Sequence, residues 1–337
     1  MPRRLSKYNL TTPEKGNIIP ILVLIFFLIG IGLIGLNFQS IQDWIRLRGY
    51  QPPNSVSQLA DQDTMNAYTK HLFYLNKPQL LNSVESFRQN CPDSIDVIVL
   101  GCYHPDQNGI YLYNVQDSAL SGVTQVTAAH EVLHSIYARL SAKERAALNS
   151  QLQAYYKNGL QDERVKEEVK LYQQTEPSDV LDEMSCTFGT EIAELPAPLE
   201  AYYKRYFNNR GAVVAYEQNY RTEFSTRQTA IKNDDQQLAD IKKSIDAEQS
   251  NLTDELAQLN SDKNRLNSLA ANNQVSDYNA LVPVYNSEVN SYNQSIVKSR
   301  GLIDKYNQLV VIRNQIAGQL TTLAKAIDTR LTTQPTR

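Results

Sequence analysis

Three hydrophobic rhythms divide the chain. Residues 18–38 read IIPILVLIFFLIGIGLIGLNF, an apolar run without a charge, of about the 20 residues a helix needs to cross a hydrocarbon core. It predicts one transmembrane helix. Arg3, Arg4, Lys7 and Lys15 precede it, and basic flanks tend to stay inside, so 1–17 is read as a cytoplasmic tail and everything after 38 as extracytoplasmic. Arg46 and Arg48, beyond the run, act against that bias. A cleaved signal peptide is the alternative, but its apolar core is shorter, about 7–15 residues, and no small-x-small site follows. Residues 39–57, with Gln51-Pro52-Pro53, read as a stiff polar linker.

The second rhythm is mixed. Helices are expected over 58–75 and 77–89, then strands over 95–100 and 110–115 around a Gly-Cys-Tyr-His-Pro-Asp-Gln-Asn-Gly turn. From Gly122 the period becomes helical, with Val123, Val126, Ala129, Leu133, Ile136 and Tyr137 on one face. Ser141 and Glu144 make a capping-box signature for a helix running towards Tyr156, and a charged helix follows over 161–174. Asp179 offers an N-cap for a helix over 180–195, which Pro196 and Pro198 end. The prediction for 58–210 is a mainly helical α+β domain with a small sheet.

In the third rhythm Ile231, Leu238, Ile245, Leu252, Leu259 and Leu266 recur every seventh residue, a coiled-coil seam. After Asn272-Asn273 the interval resumes in Tyr278, Tyr285 and Tyr292, and in Val289, Ile296, Ile303 and Val310. A short turn between two similar seams predicts an antiparallel coiled-coil hairpin over 211–332, each arm about 80 Å long, with 333–337 as a tail. A parallel coil between chains is the alternative, and it leaves the single interruption unexplained.

Composition narrows the function. The chain has 337 residues, 42% of them hydrophobic, enough for a packed domain plus a non-globular element. With 33 basic against 36 acidic residues there is no electrostatic footprint for nucleic acid, and no such partner is expected. Of three cysteines, Cys91 and Cys102 flank the first strand; a disulfide between them suits an outside location, and two separate buried thiols are the alternative. Cys186 is left over.

The chemistry concentrates in His130-Glu131-Val132-Leu133-His134. Two imidazoles four residues apart share one helix face and can grip a single Zn²⁺, while the intervening glutamate can take a proton from water and hand it to a leaving amine. Only 4 histidines occur in the chain, and two fall here. The bland reading is a pair of ordinary histidines with Glu131 in a helix salt bridge. Catalytic zinc needs a third protein ligand. Tyr137 and Leu140 stand where a metzincin would have its glycine and third histidine.

Glu183, within Leu181-Asp182-Glu183-Met184-Ser185-Cys186, is the favoured third ligand. Glu191 on the same helix face is an alternative, and Cys186 as a thiolate is another. Here the chain resembles the gluzincins, zincin metallopeptidases in which a downstream helix supplies a glutamate ligand. The resemblance covers at most residues 95–195. It implies a thermolysin-like centre of two histidines and one glutamate on an α+β zincin-like domain, with the strand over 110–115 beside the cleft to pair with an extended substrate. Gluzincins place an aspartate a few residues after the ligand glutamate; Thr187 stands there instead, and Glu191 is the candidate replacement.

The leading expectation is a membrane-anchored extracytoplasmic zinc metallopeptidase that hydrolyses peptide bonds of peptides or proteins through a metal-activated water. The rival is a non-catalytic envelope scaffold with a degenerate zincin domain, in which the coiled coil binds a protein partner. Cell-wall peptide cross-links are a third substrate class open to an outward-facing hydrolase.

Overall fold

The computed structural model describes residues 38–92, 98–107 and 109–330. The chain divides into two units, 1–53 and 54–337. In the first, the described part, residues 38–53, holds helix α1 (Phe38–Leu47), on which Phe38, Ile41, Trp44 and Ile45 are exposed. The transmembrane run lies outside the described residues apart from Phe38, and no helix among the described residues is long and apolar enough to cross a membrane. The linker expected over 39–57 is largely helical. Its apolar residues recur at three- and four-residue steps, and only the stretch around Pro52 and Pro53 stays irregular.

The second unit is mostly helical with one three-stranded sheet. Helices α2 (Asn54–Gln62) and α3 (Ala67–Leu75) replace the single helix expected over 58–75. Thr64 takes a φ of 53°, Met65 bridges to Phe207, and Asn66 caps α3 by accepting from the Thr69 amide. Local hydrogen bonding by such residues competes with helix continuation. The helix expected over 77–89 likewise becomes β1 (Gln79–Leu81) and α4 (Val84–Asn90), the latter capped by Ser83.

Strands β2 (Gly101–His104) and β3 (Gly109–Tyr113) complete a sheet of order β1-β3-β2, with β1 parallel and β2 antiparallel to β3. Of the strand expected over 95–100, residues 95–97 lie outside the described residues and 98–100 are not strand. Pairing begins at Gly101, which faces Leu112, and lasts to His104, which faces Gly109. The bend is confined to the residues from Pro105 onward, where the missing amide ends the ladder.

Helix α5 (Val123–Ala138) buries the expected apolar face. Then come α6 (Ala142–Asn158), with its capping box formed by Ser141 and Glu144, α7 (Glu163–Thr175), α8 (Val180–Glu191) and α9 (Ala197–Tyr203). Helix α8 stops at Glu191, short of the proline pair, because the buried Arg210 guanidinium claims the carbonyls of Ile192 and Ala193 at 2.6 and 2.9 Å. Close packing of α8 on α5 depends on Gly189, where a Cβ would lie 2.7 Å from Leu133 and 2.6 Å from Tyr203. Leu133 is fully buried at that contact, worth about 1.5–3 kcal/mol for a side chain of its size.

Helices α10 (Arg210–Ala271) and α11 (Val275–Ile327) form an antiparallel pair. Asp235 meets Arg313 at 2.9 Å, Glu248 meets Lys298 at 2.6 Å and Asn251 meets Ser295 at 3.4 Å, each partner earlier on α11 as the first lies later on α10. The heptad row of the sequence is half of the inward face. The other row runs through Asp234, Ile241, Glu248, Glu255, Asp262 and Leu269, where Ile241, Glu248 and Asp262 are buried. Pro283 sits within α11. At the base, Leu323 packs with Leu120 and Val123, and Thr329 accepts from Arg88 and exchanges hydrogen bonds with the Val99 backbone.

Candidate metal centre

Two helices and one strand build the site. Helix α5 presents His130, Glu131 and His134 one turn apart, with the two imidazole centroids 5.0 Å from each other. Helix α8 crosses it and delivers Asp182, Glu183 and Cys186. Strand β2 closes the side, and together they line a cavity of about 430 Å³.

Glu183 is brought to both imidazoles. Its Oε2 lies 3.5 Å from His130 Nε2 and its Oε1 lies 3.6 Å from His134 Nε2. Those separations are long for a hydrogen bond. They are near the roughly 3.4 Å between donors that share a tetrahedral ion with bonds of about 2.0–2.1 Å, each made by a different oxygen of the carboxylate. The Tyr172 hydroxyl is a further hydrogen-bonding neighbour of Glu183.

His134 is oriented from behind by Asp182. Its Nδ1 lies 3.0 Å from Asp182 Oδ1, so Nδ1 donates to the carboxylate and Nε2 is the ring nitrogen left for a metal. The orienting carboxylate thus stands one residue before Glu183, and not after it, at 187 or 191, where the sequence places it by resemblance. Cys186 Sγ donates to the same Asp182 oxygen at 3.7 Å, which puts it on the Nδ1 side of His134. Even so, His130, His134 and Cys186 bring one donor atom each within 4.8 Å of one another, and this group can hold a metal ion.

Glu191 is not brought to the histidines. It pairs with Arg164, and no ion pair among the described residues joins it to His130 or His134. Arg164, on the neighbouring α7, also reaches Glu168.

Glu131 is 5% exposed and lies against the backbone of β2: a Cβ on Gly101 would stand 2.6 Å from its Oε1. Glycine at 101 is what lets the carboxylate reach the cavity. Cys91 and Cys102 form a disulfide with a Cα separation of 6.0 Å, on the wall of the same cavity. His104 Nε2 lies 2.7 Å from the Asn90 carbonyl and 3.4 Å from Cys102 Sγ; the bridged sulfurs carry no thiolate to offer a metal. The strand beside the site is therefore β2. Strand β3, which holds the residues expected to flank the cleft, has β1 on one edge and β2 on the other, so its backbone is already paired.

Burial opposes charge throughout the site, and the neighbours decide the outcome. At His130 it is outweighed by the Glu183 carboxylate, and the imidazole titrates above its ordinary value. At His134 burial is again overcome, by the bond to Asp182 and the nearby Glu183 carboxylate, and the pKa lies well above ordinary. Glu183, buried but facing His130 and His134, stays below the usual carboxylate range. Burial pushes Glu131 up, with the two histidines pulling it partly back, and pushes the Cys186 thiol up strongly. In the metal-free chain the imidazoles hold protons that an ion must displace, so metal affinity rises with pH.

The Asp182 contact carries a test. Asp182→Asn removes the charge that fixes the His134 tautomer, and affinity for added zinc is expected to fall about 10- to 100-fold, the usual loss when the carboxylate behind a metal-binding histidine is removed. A competition titration against a chromophoric chelator reads the change; an unaltered affinity would show that Asp182 plays no part in orienting the ligand.

No protein-family model, no curated protein and no solved structure matches the chain.

Proposed function

We propose that the chain is a zinc-dependent metallopeptidase of gluzincin-like type, tethered to a membrane through residues 18–38 with its catalytic domain outside. The observation that carries this reading is the Glu183 carboxylate spanning the two Nε2 atoms of His130 and His134 at 3.5 and 3.6 Å. Those three side chains would hold Zn²⁺. Their oxygen and nitrogen donors suit that ion, and the cavity beside them leaves room for a fourth, non-protein ligand.

Zinc bound there would polarise a scissile carbonyl and acidify a water. The protein does the rest. Asp182 keeps the His134 lone pair aimed into the cavity, and Tyr172 helps hold Glu183 in place. Glu131, whose pKa burial has raised, takes the proton of the attacking water and delivers it to the departing amine. The outer edge of β2 has no strand paired to it among the described residues, so an extended peptide can add there by backbone hydrogen bonds.

The test is peptide cleavage by the full chain in detergent micelles. Activity should require one zinc per chain, disappear on chelation and return when zinc is restored. Cleavage that survives removal of all metal would overturn the proposal.

A further inference from the structure

Apart from its two histidines, the charged walls of the cavity are all acidic. Five carboxylates line it, from Glu131, Glu176, Asp179, Asp182 and Glu183, and no lysine or arginine does among the described residues. Their duties differ. Glu183 and Asp182 are occupied with the histidines, and Glu131 is packed over Gly101. Glu176 and Asp179 are exposed at the rim, where the chain turns from α7 into α8. Neither is in an ion pair among the described residues, and the Asp179 side chain accepts from the Ser178 hydroxyl, at 3.2 Å on Oδ2.

A divalent ion does not reverse this balance. With neutral imidazoles, two positive charges against five carboxylates leave three negative charges in the cavity. A cleft with one sign of charge concentrates ligands of the other sign and repels its own. The lack of a cationic lining residue also bears on which bonds are cut. An enzyme that removes C-terminal residues needs a cation for the free carboxylate, usually arginine with its paired donors; here that carboxylate would meet Glu176 and Asp179.

From this we infer that the cavity selects cationic peptide segments and cuts internal bonds, with a lysine or arginine side chain of the substrate seated against Glu176 and Asp179. The inference rests on the metallopeptidase reading, and its test separates the two. Three internally quenched peptides, identical except for Lys, Gln or Glu beside the scissile bond, are cleaved by the zinc-loaded full chain. In parallel, fluorescently labelled Lys and Glu peptides are bound to the zinc-free full chain and followed by polarisation.

The expected order in kcat/KM is Lys over Gln over Glu. We expect about tenfold between the extremes, a modest ratio because the rim charges are exposed, and it should shrink at roughly 0.5 M salt, where the Debye length is only a few ångströms. Binding should follow the same order. In the double variant Glu176→Gln/Asp179→Asn the Lys-to-Glu ratio should fall to within about twofold.

Cleavage without charge selection, or selection that persists in the double variant, overturns this inference and leaves the metallopeptidase reading intact. Selective binding of the Lys peptide without any cleavage overturns the metallopeptidase reading and keeps the acidic, cation-selecting cleft. Neither cleavage nor selective binding sinks both.

Discussion

Glu131→Gln is expected to give a folded, zinc-loaded protein whose kcat/KM for peptide cleavage is lower by about 100- to 10,000-fold, the range for loss of a general base. The substitution keeps the side-chain shape, which matters because Glu131 is packed against Gly101, where there is no space for even one added carbon. It removes only the ability to accept a proton. Since Glu131 is not one of the side chains placed around the ion, zinc content should stay at one per chain. Steady-state kinetics together with metal analysis of the same preparation decides the matter: full activity in a zinc-loaded Glu131→Gln variant would remove Glu131 from the mechanism, whereas lost activity with lost zinc would move it into the ligand set.

The second large effect concerns the third ligand, where two side chains of α8 compete. Glu183→Gln should weaken zinc binding by more than the roughly 100-fold that an outer-shell change reaches, while Cys186→Ser should cost less than about tenfold. The grounds are geometric and electrostatic. Glu183 faces both Nε2 atoms and is held below the usual carboxylate range by them, so its charge is in place before the ion arrives. Cys186 lies behind His134 as a thiol that burial keeps protonated, and would have to lose that proton in a poorly solvated setting. Cobalt substitution adds a direct readout: an intense near-ultraviolet sulfur-to-metal band in the wild type, absent from Cys186→Ser, would reverse the assignment.

How much of this was legible in the residues follows from the range of the forces involved. The α5 face, the capping box at Ser141 and the seven-residue interval of α10 are local patterns, and each element formed where its pattern lies. Ligand candidates could be named because His130 and His134 are one helical turn apart in any helix. What the sequence did not disclose depends on contacts between distant segments. Asp182 becomes the partner of His134 only because α8 crosses α5 at the angle that Gly189 permits. Glu191, equivalent to Glu183 by spacing on the helix, is separated from it by Arg164, a residue of another helix. The edge strand proved to be 101–104 because β3 is paired on both sides, a fact of sheet order that alternation of apolar residues cannot report. The polar row of the hairpin is hidden for a different reason: buried Glu248 and Asp262 carry no hydrophobic signature.

The attachment of the long helical pair has a mechanical consequence. Its outgoing limb starts at Arg210, whose guanidinium grips the carbonyls just past α8, and its returning limb ends with Leu323 against Val123, the first residue of α5, and Thr329 against Val99 on the cavity wall. The two limbs are thus rooted separately at the two helices that present His130, His134 and Glu183. A sideways load at the far tip, acting through an arm of about 80 Å, arrives at those roots as a torque that prises α5 and α8 against each other, so the spacing between the imidazoles and Glu183 is the quantity such a load would strain first.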